Sequence, residues 1–461
     1  MSLGANLAHL TSAFKQIDHQ MTRSSLSLAE KYDRPVPRYT SYPTAPHFSD
    51  EVGEVEYRQW LNGLSADEPL SLYIHVPFCA SMCWFCGCNT KVVARYAPIA
   101  KYVGFVLEEM ALLAAALPQR MKVAHVHWGG GSPTMLVPQD WQRMVQEIHR
   151  HFDLTPDAEL AVELDPRTAT EEYVAELAKA GVSRVSIGVQ DFDPKVQEAI
   201  NRIQPYDMTA DVVGWLRKAG ITAINMDLMY GLPHQTVLSV VDQVDLAVSL
   251  NPQRIALFGY AHVPWMKTHQ KQIDEAVLPD GKARWEQFEA ARARLLELGY
   301  VAVGFDHFAA PDDPLVKGKI ARNFQGYTSD QAEVLIGIGA SSIGSLGAGY
   351  VQNEPSMGRY ETAIIEGHLP IAKGRALTPD DVVRRRVIND LMCDLTVDLG
   401  DKKDEYAPAL AQLEPMVADH LVCVEGSRVT ITEAGRPFAR VAASAFDTYL
   451  GEGTGRHSKA V

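Results

Sequence analysis

The chain has 461 residues, 46% of them hydrophobic and 22% charged, and this composition excludes a disordered chain. It carries 57 acidic against 43 basic residues, and a formal net charge of −14 makes nucleic acid an unfavourable partner. The sequence has no apolar run long enough to cross a bilayer, and residues 1–28 lack the apolar centre of a signal peptide. We therefore expect a cytoplasmic protein with no nucleic-acid or membrane partner, made of one large domain with appendages.

Residues 1–50 are predicted to form an arm that precedes the folded core. Up to about residue 30 the sequence is polar and weakly patterned, whereas residues 32–45 contain three prolines that favour extended backbone. The same segment carries side chains that pair with anions or stack on flat rings: Arg34, Arg38, Tyr39 and Tyr42. Two interpretations of this segment are equally good. It is a linker that lies on the surface, or it is an arm that folds over a binding site, where Arg38 pairs with an anionic substrate.

A short apolar run, Leu72 to Phe78, is predicted to be a buried strand that ends in a cysteine-rich loop. The loop holds four cysteines within ten residues: Cys79, Cys83, Cys86 and Cys88. Thiolates are soft ligands, and gaps of three and two residues let one loop bind three irons of a cubane iron–sulfur cluster. A structural zinc site or a redox dithiol is the alternative. Zinc sites usually pair two short hairpins, however, and Cys393 and Cys423 are isolated.

From about residue 70, apolar runs rich in β-branched residues alternate with helical periodicities. The predicted strands cover residues 70–78, 123–128, 158–164, 184–189, 223–229 and 254–260. The predicted helices cover residues 102–117, 141–152, 173–180, 212–219, 237–250 and 285–298, and a further apolar run follows at 300–305. This alternation predicts parallel strands joined by right-handed crossovers. We expect an α/β fold with a partial or complete parallel (β/α) barrel over residues 51–370; a doubly wound open sheet is the alternative.

Polar residues follow the predicted strands, one group after another. They are Gly129-Gly-Gly-Ser132, Glu163-Leu-Asp165, Gln190-Asp191, Asp227 and Tyr260-Ala-His262. Barrel enzymes place their active sites at the C-terminal ends of parallel strands, so this repetition predicts a ligand-binding mouth. Taken singly, these side chains and Arg202 are ordinary caps or ion-pair partners. Taken together they supply acceptors for hydroxyl and amino groups and a cation for a carboxylate, and the glycine run lets a ligand approach the backbone closely.

Residues 371–461 are predicted to form a small, mainly helical domain. A helix over residues 378–395 begins at Thr378 and Pro379, a capping residue followed by a proline at the first helical position. Residues 422–431 and the segment after them resemble the hairpin and helix of a winged helix. Because Asp and Glu are plentiful here, we expect a structural or substrate-covering cap and not a DNA-binding unit.

The spacing Cys-x3-Cys-x2-Cys after a strand resembles the signature of the radical S-adenosylmethionine (SAM) enzymes. The additional Cys88 makes the loop most similar to that of the oxygen-independent coproporphyrinogen III oxidases. The resemblance extends over most of the chain through these further stretches: Pro37-Arg-Tyr-Thr-Ser-Tyr-Pro-Thr44, His127-Trp-Gly-Gly-Gly131, Gly188-Val-Gln-Asp-Phe192, Asp227-Leu-Met-Tyr-Gly-Leu-Pro233, Tyr260-Ala-His262, Asp306-His-Phe-Ala309 and Arg322-Asn-Phe-Gln-Gly-Tyr327.

This resemblance implies a barrel of the radical SAM type, with a [4Fe–4S] cluster on Cys79, Cys83 and Cys86. It also implies one SAM on the open iron of the cluster and a second SAM nearby. The residues implied to contact the first SAM are Tyr73, Gly130, Glu163 and Ile343. Those implied to contact the second are Phe85, Gly131, Ser132, Gln190, Arg202, Asp227 and Ala261. We expect catalysis itself to depend on Tyr73, Cys88 and Arg38.

The resemblance further implies anaerobic oxidative decarboxylation of two propionates of coproporphyrinogen III to vinyl groups, through a 5′-deoxyadenosyl radical. The implied partners are coproporphyrinogen III and an electron donor such as flavodoxin or ferredoxin, and we expect a monomer. Two alternatives use the same barrel: a haem chaperone and a haem-degrading radical SAM methyltransferase. Both are expected to lack the arm, and the chaperone is expected to lack a cysteine at position 88.

Overall fold

The computed structural model describes residues 23–451, so the predictions made for residues 1–22 and 452–461 lie outside the described residues. The strands are β1 Leu70–Val76, β2 Phe78–Cys79, β3 Lys91–Val92, β4 Lys122–Gly130, β5 Asp153–Leu164, β6 Arg184–Gln190, β7 Ala223–Tyr230, β8 Arg254–Gly259, β9 Val301–Val303, β10 His307–Ala309, β11 Ala321–Asn323, β12 Gly326–Thr328, β13 Leu335–Ile338, β14 Ile343–Leu346, β15 Gly349–Asn353, β16 Ile371–Ala376, β17 Thr396–Asp398, β18 Val422–Glu425 and β19 Arg428–Ile431. The α-helices are α1 Arg23–Tyr32, α2 Glu54–Asn62, α3 Ala97–Ala116, α4 Pro138–His151, α5 Glu171–Lys179, α6 Pro194–Ala199, α7 Tyr206–Lys218, α8 Val237–Ser249, α9 Gly281–Glu297, α10 Pro314–Lys317, α11 Met357–Ile365, α12 Pro379–Cys393, α13 Ala407–Ala418 and α14 Ala439–Ala443.

A mixed sheet of twelve strands forms the centre of the molecule, in the order β16-β15-β14-β13-β1-β4-β5-β6-β7-β8-β10-β9. From β13 to β8 in this order the strands run parallel, and the strands outside them are antiparallel. Side chains from β1 and from β4 through β8 face one common cavity, so the sheet curves around it. Among residues 23–451 the edge strands β16 and β9 do not pair with each other. The sheet is therefore a partial barrel, as the alternation of strands and helices predicted.

Each of the six predicted parallel strands is present within a few residues of its predicted bounds. Apolar runs buried on both faces are typical of parallel strands between helices, which is why the pattern was informative. The run at 300–305 behaves differently, because only Val301–Val303 forms a strand and it pairs antiparallel with β10. Gly304, at a φ of 56°, begins the reversal between the two. A further parallel strand is β13, which lies beside β1 and which we did not predict.

The helices cover the outer face of the sheet with apolar stripes. In α4 the buried residues Trp141, Met144 and Ile148 recur at helical spacing. The Trp141 ring meets the Trp128 ring of β4 edge to face, with ring centroids 4.7 Å apart. Such an aromatic pair contributes about 0.5–1.5 kcal/mol beyond the area that it buries. Packing of this kind fixes the strands, and with them the residues at their C-terminal ends.

A buried carboxylate ties α3 to the loop after β13. Glu109 accepts hydrogen bonds from the N–H of Gly339 over 2.8 Å, from Asn353 Nδ2 over 2.6 Å and from the Tyr360 hydroxyl over 2.6 Å. Burial raises the pKa of this carboxyl to about 7, although these three donors act in the opposite direction. The Tyr102 hydroxyl, about two helical turns before Glu109, donates to the carbonyl of His75 near the end of β1. The network therefore fixes two strand ends beside the cavity.

The arm packs against the C-terminal part of the chain and is not a loose linker. The Tyr39 hydroxyl donates to Asp447, and the Tyr42 hydroxyl lies 3.0 Å from Thr448 Oγ1. Both tyrosine side chains are buried. Arg34 donates to the hydroxyl of Ser444 over 3.1 Å. These contacts fix the arm along the C-terminal segment from both sides of Arg38.

The C-terminal part contains α12, α13, α14 and a small sheet in the order β17-β19-β18. The predicted helix at 378–395 is α12, which Thr378 caps by accepting from the N–H of Asp381. The predicted hairpin at 422–431 is β18 and β19. Strand β16, next to the predicted boundary at residue 370, is the edge of the main sheet, and the three-part division remains a prediction. Within residues 23–451, no helix has the length and apolar character that a membrane crossing requires.

Candidate active site

The cysteine loop begins where β1 ends. Pro77 stops the strand, and the short strands β2 and β3 then pair in parallel, which closes the loop at its base. On one side the loop is held by the segment after α6, because Asn201 Nδ2 donates to the carbonyl of Met82 and the N–H of Trp84 donates to the carbonyl of Ile200. Residues 80–90 are therefore fixed by hydrogen bonds from outside the loop.

On its other side the loop is held by residues 267–270, which follow β8. Three side chains from this segment donate to carbonyl oxygens of the loop: Lys267 to Cys88 over 3.0 Å, His269 to Cys86 over 2.7 Å and Gln270 to Phe85 over 3.0 Å. No motif in the sequence marked this segment. These contacts fix the backbone of the loop and thereby the positions of its cysteine side chains.

Three thiol sulfurs of the loop each have a nearby hydrogen-bond donor. The Thr90 hydroxyl lies 3.0 Å from Cys79 Sγ, and the N–H of Cys88 donates to Cys86 Sγ over 3.4 Å. Cys83 Sγ accepts from Arg167 over 3.4 Å and from Arg202 over 3.5 Å. Donors and cations stabilise thiolates, which are the form that binds iron. The donor set fits a cluster held by these three sulfurs.

In the described part of the chain, no three His, Cys, Asp or Glu side chains converge closely enough to hold a single metal ion. A cubane does not need such convergence, because each thiolate binds a different iron. The arrangement fits a [4Fe–4S] cluster better than the zinc alternative. Cys88 differs from its three neighbours, since it lines the cavity described next.

A cavity of about 640 Å³ lies at the C-terminal ends of the parallel strands, beside the cysteine loop. Predicted site residues that line it are Arg38, Tyr73, Phe85, Cys88, Gly130, Glu163, Gln190, Asp227 and Ala261. The structure thus brings together residues from the arm, the cysteine loop and the ends of five strands. Polar groups that converge on one concave space in this way are typical of a barrel active site.

Other predicted residues support this cavity from behind. The Ser132 hydroxyl lies 2.8 Å from that of Thr134, and the side chain is buried. Gly131 packs against Phe78, where a Cβ atom would come within 2.7 Å of the carbonyl oxygen. Arg202 faces Cys83 and Asp165, and Ile343 begins β14 beside Gly337. None of these four side chains is among those that line the cavity of the described chain.

Glu163 is the one acidic residue among those predicted to contact the first SAM. Its Oε1 lies 3.2 Å from His127 Nε2, and its Oε2 accepts from the N–H of Gly130 over 3.0 Å. Burial opposes its ionisation, yet His127 and Gly130 lower the pKa of this carboxyl below its usual value. Glu163 therefore offers a negative charge to the cavity that it lines. It suits an ammonium group or a pair of hydroxyls on a ligand.

The glycine run has a physical reason at this place. Gly130 has a φ of 114°, and a Cβ atom there would lie 2.4 Å from the His75 ring. A Cβ atom on Gly129 would lie 2.6 Å from Glu163 Oε1. Only glycine lets β4 end in direct contact with His75 and Glu163.

His75, which the sequence did not single out, orients Tyr73. Its Nε2 lies 3.0 Å from the carbonyl of Asn89 and must donate to it, so Nδ1 accepts from the Tyr73 hydroxyl over 3.0 Å. Burial lowers the pKa of His75, which keeps the ring neutral in this arrangement. The Tyr73 ring also stacks on His127 at a centroid distance of 5.8 Å. The alternation of side chains along β1 places positions 73 and 75 on the same face, and this was the available signal.

Asp227 also lines the cavity. It accepts from Asn225 Nδ2 over 2.8 Å and from the Ser186 hydroxyl over 3.3 Å. Burial, together with the charge of Glu163, raises the pKa of Asp227 to about 6. Gln190 ends β6 in the left-handed region, at a φ of 70°, which a non-glycine residue adopts only where its surroundings hold it. Both residues line the cavity.

Three histidines near the site form hydrogen bonds with neighbouring side chains. His127 lies against Glu163, His262 contacts Tyr260 and Glu275, and His307 contacts Asp306. Arg167, which contacts Cys83, was not predicted. It forms an ion pair over 2.7 Å with the strand-end residue Asp165. Its position two residues after Asp165 in the sequence was the available signal.

Comparison with known proteins places these features in context. The model of the radical SAM superfamily matches residues 73–247. The chain is 46% identical over 450 residues to the oxygen-independent coproporphyrinogen III oxidase of Bradyrhizobium diazoefficiens, covering 95% of this chain and 100% of that protein. It is 42% identical over 450 residues to the Paracoccus denitrificans protein of the same name, covering 95% and 99%.

Among solved structures, the chain is similar to the coproporphyrinogen III oxidase of Escherichia coli, which is described as a radical SAM enzyme. The TM-score is 0.86 at 35% sequence identity, and the match covers 90% of this chain and 100% of that one. The similarity includes the partial barrel and the C-terminal helical part.

Proposed function

Because this chain belongs to the oxygen-independent coproporphyrinogen III oxidases of the radical SAM superfamily, we propose that it oxidatively decarboxylates two propionate side chains of coproporphyrinogen III. The observation that carries the proposal is that the cysteine loop and the polar ends of the parallel strands meet in one cavity. The comparisons favour this reaction over a haem chaperone or a methyltransferase.

Membership of the family implies a [4Fe–4S] cluster and SAM, and the donor set fits the cluster on Cys79, Cys83 and Cys86. When bound, these cofactors supply a 5′-deoxyadenosyl radical that removes a hydrogen atom from the β-carbon of a propionate. The residues of the chain bind and orient. We assign the first SAM to Tyr73, Gly130, Glu163 and Ile343. Glu163 supports this assignment because its carboxylate reaches the cavity beside the cysteine loop.

A second SAM is part of the proposal. Phe85, Gln190, Asp227 and Ala261 line the same cavity as Glu163. Gly131, Ser132 and Arg202 support it from behind. The carboxylate of Asp227 supplies an acceptor for hydroxyl or amino groups. The volume of about 640 Å³ is within the range of cavities that bind molecules of this size.

The reaction at each propionate removes one hydrogen atom, one carboxylate group and one electron. One hydrogen atom leaves the β-carbon, the carboxylate leaves as carbon dioxide, and one electron passes to a one-electron acceptor, so a vinyl group remains. The chain excludes water from this step and positions the propionate. We assign contacts with the substrate to Cys88 and Arg38, which both line the cavity. An electron donor of the flavodoxin or ferredoxin class, a monomeric enzyme and a cytoplasmic location complete the proposal; six free cysteines suit a reducing compartment.

The test is an anaerobic assay of the reconstituted enzyme with coproporphyrinogen III, SAM and a low-potential reductant. We expect protoporphyrinogen IX and two molecules of carbon dioxide for each substrate molecule. Cys83→Ser is the matched control, because it removes a cluster ligand and leaves the cavity lining intact. Haem binding without any carbon dioxide release would instead support the chaperone alternative and overturn the proposal.

A further inference from the structure

A second cavity, of about 370 Å³, opens beside the first between the ends of β7 and β8, helix α9, the arm and the C-terminal segment. Both cavities are lined by Arg38, Phe258, Gly259, Tyr260 and Ala261. They are therefore adjacent and share part of their walls. The second cavity contains no residue that we assigned to the cluster, and Arg38 and Ala261 line both cavities.

Three arginines from separate parts of the chain line this second cavity: Arg38 from the arm, Arg284 from α9 and Arg440 from α14. Arg38 donates to the carbonyl of Gly259 over 3.4 Å, and Arg284 donates to the carbonyl of Tyr260 over 2.9 Å. The Arg284 guanidinium also lies 5.8 Å from the centre of the Tyr230 ring. Burial raises the pKa of the Tyr230 phenol, and the positive charges of Arg284, Arg440 and Arg38 act in the opposite direction. All three guanidiniums therefore lie near this ring.

Two glycines make room for Arg284. A Cβ atom on Gly231 would come within 2.4 Å of Arg284 Nη1, and one on Gly259 would come within 3.3 Å of Nη2. Gly231 also has a φ of 80°, so a side chain there is disfavoured on two grounds. The ends of β7 and β8 are thus shaped to accept a guanidinium.

Few acidic side chains line this second cavity. Its one acidic lining residue within residues 23–451 is Asp306, which already lies 2.6 Å from His307 Nδ1 and 4.0 Å from Arg322. Burial and the charge of Arg38 lower the pKa of Arg440 to about 10. In a chain with a net charge of −14, three guanidiniums around one space are a local reversal of sign. Carboxylates of a ligand would pair with these guanidinium groups.

The rest of the wall is aromatic. Tyr230, Phe258, Trp265, Trp285, Phe288 and Phe305 line the same cavity. Trp265 is 54% exposed, which places an indole ring at the entrance. Flat apolar surfaces beside guanidinium groups suit a ligand that combines a ring system with carboxylate side chains.

We propose that the second cavity binds carboxylates of the substrate that are not reacting, through Arg38, Arg284 and Arg440, and so holds one edge of the tetrapyrrole while another propionate lies in the first cavity. This inference rests on the proposed function and names the residues that recognise the polycarboxylate. It explains why an acidic protein accepts a substrate with four carboxylates. It also gives Arg38 its role at the boundary of the two cavities.

The test compares two fluorescent porphyrins that differ in carboxylate number, coproporphyrin III with four and mesoporphyrin IX with two, bound to the anaerobic holoenzyme. We expect the wild-type enzyme to prefer coproporphyrin III by tenfold or more. Arg284→Gln is expected to weaken coproporphyrin III binding by about tenfold and mesoporphyrin IX binding by less than threefold, because charge and not ring contact is lost. Arg440→Gln is expected to act in the same way. Cluster absorbance and the melting temperature show whether each variant is folded.

Matched controls are Arg292→Gln, also on α9, and Arg436→Gln, near Arg440; these two arginines pair with Glu433 and do not line the cavity. Both are expected to keep the wild-type preference. If Arg440→Gln does not fold, the partly exposed Arg284 decides alone. A folded Arg284→Gln enzyme with the wild-type preference overturns the inference and leaves the proposed function standing. A wild-type enzyme that releases no carbon dioxide from coproporphyrinogen III overturns the proposed function itself.

Discussion

The carboxylate of Glu163 accepts a hydrogen bond from the N–H of Gly130 over 3.0 Å. This bond joins the end of β5 to the glycine run that ends β4. It also helps to keep the carboxylate negative, since His127 and this N–H lower the pKa of Glu163 although desolvation opposes its ionisation. The glycine motif and the strand-end acid therefore form one unit, and the first two predictions test its two halves.

Glu163→Gln is expected to weaken SAM binding by about 10- to 100-fold, the range of ~1.5–3 kcal/mol for a hydrogen bond to a charged group. The amide keeps the size of the side chain but loses the charge that attracts an ammonium group. Calorimetric titration of the reconstituted enzyme with SAM measures the change. Glu172→Gln, on the exposed start of α5, is the control. Equal SAM affinity in Glu163→Gln and wild type would remove Glu163 from the site.

Gly130→Ala is expected to lower activity at least tenfold. The new methyl group would meet the His75 ring at 2.4 Å, and the residue would have to keep a φ of 114°. Displacing His75 also breaks its hydrogen bond with Tyr73. Gly104→Ala is the matched control, because nothing lies within 4 Å of a Cβ atom there and alanine stabilises a helix. Retained activity in Gly130→Ala would show that this close approach is not required.

Replacing Cys79, Cys83 or Cys86 by serine is expected to abolish the iron–sulfur absorbance of the reconstituted protein. Cys88→Ser is expected to keep the iron and lose decarboxylation. Cys88 lines the cavity, whereas the sulfur atoms of the other three cysteines each have a hydrogen-bond donor nearby. Cys423→Ser, on the exposed strand β18, is the control. Iron and absorbance are measured together. Loss of iron from Cys88→Ser would show that the ligand assignment is wrong.

Asp227 is expected to make SAM binding depend on pH. Burial and Glu163 raise the pKa of this carboxyl to about 6. As the pH falls through 6 the group gains a proton and loses its acceptor charge, so the affinity for SAM decreases. Asp227→Asn should bind SAM weakly, by roughly tenfold, and with no such dependence. Titrations between pH 5.5 and 8 measure this, with the exposed Asp211→Asn as control. Parallel pH profiles for wild type and Asp227→Asn would contradict the prediction.

The main features of the fold and of the site were predictable because each has a local cause. Apolar runs specify the strands, cysteine spacing specifies the cluster loop, and Glu163 and Asp227 lie in the C-terminal halves of apolar strands. The outer parts were not predictable in the same way. Residues 267–270 have no periodicity or motif, and their contacts with the cysteine loop arise only in the folded chain.

Glu109 and the arm show the same limit. Glu109 follows another glutamate in an otherwise amphipathic helix, where an acid is expected to face water. Its burial depends on donors from residues more than 200 positions away. In the arm, Arg34 and Arg38 look alike in sequence. Irregular backbone between them turns one toward Ser444 and the other toward Gly259, and no period predicts that difference.

Glu109 should give the protein a measurable pH dependence of stability. The carboxyl ionises at 4.5 ordinarily and at about 7 in the folded chain. Between these pH values the folded protein holds a proton that the unfolded chain has released, so this contribution to the free energy of unfolding falls as the pH rises, by up to about 3 kcal/mol. Glu109→Gln lacks this term. Its melting temperature relative to wild type should therefore increase from pH 5 to pH 7.5, whereas that of the exposed Glu108→Gln should not. A constant difference for Glu109→Gln would contradict the pKa assignment.

Arg38 and Arg34 offer a matched pair for testing whether the arm acts in the reaction or only in stability. Arg38 lines both cavities and reaches the carbonyl of Gly259, whereas Arg34 binds Ser444 on the C-terminal segment. Deleting the whole arm would not separate the two roles, because Tyr39 and Tyr42 are part of the core. Arg38→Ala is expected to lower the rate of carbon dioxide release from coproporphyrinogen III by tenfold or more, since one guanidinium–carboxylate pair is lost, and to leave the cluster absorbance and melting temperature near those of wild type. Arg34→Ala is expected to lower the melting temperature by a few degrees through the loss of its hydrogen bonds, and to keep the rate. The opposite pattern, a full rate in Arg38→Ala, would leave the arm with a structural role alone.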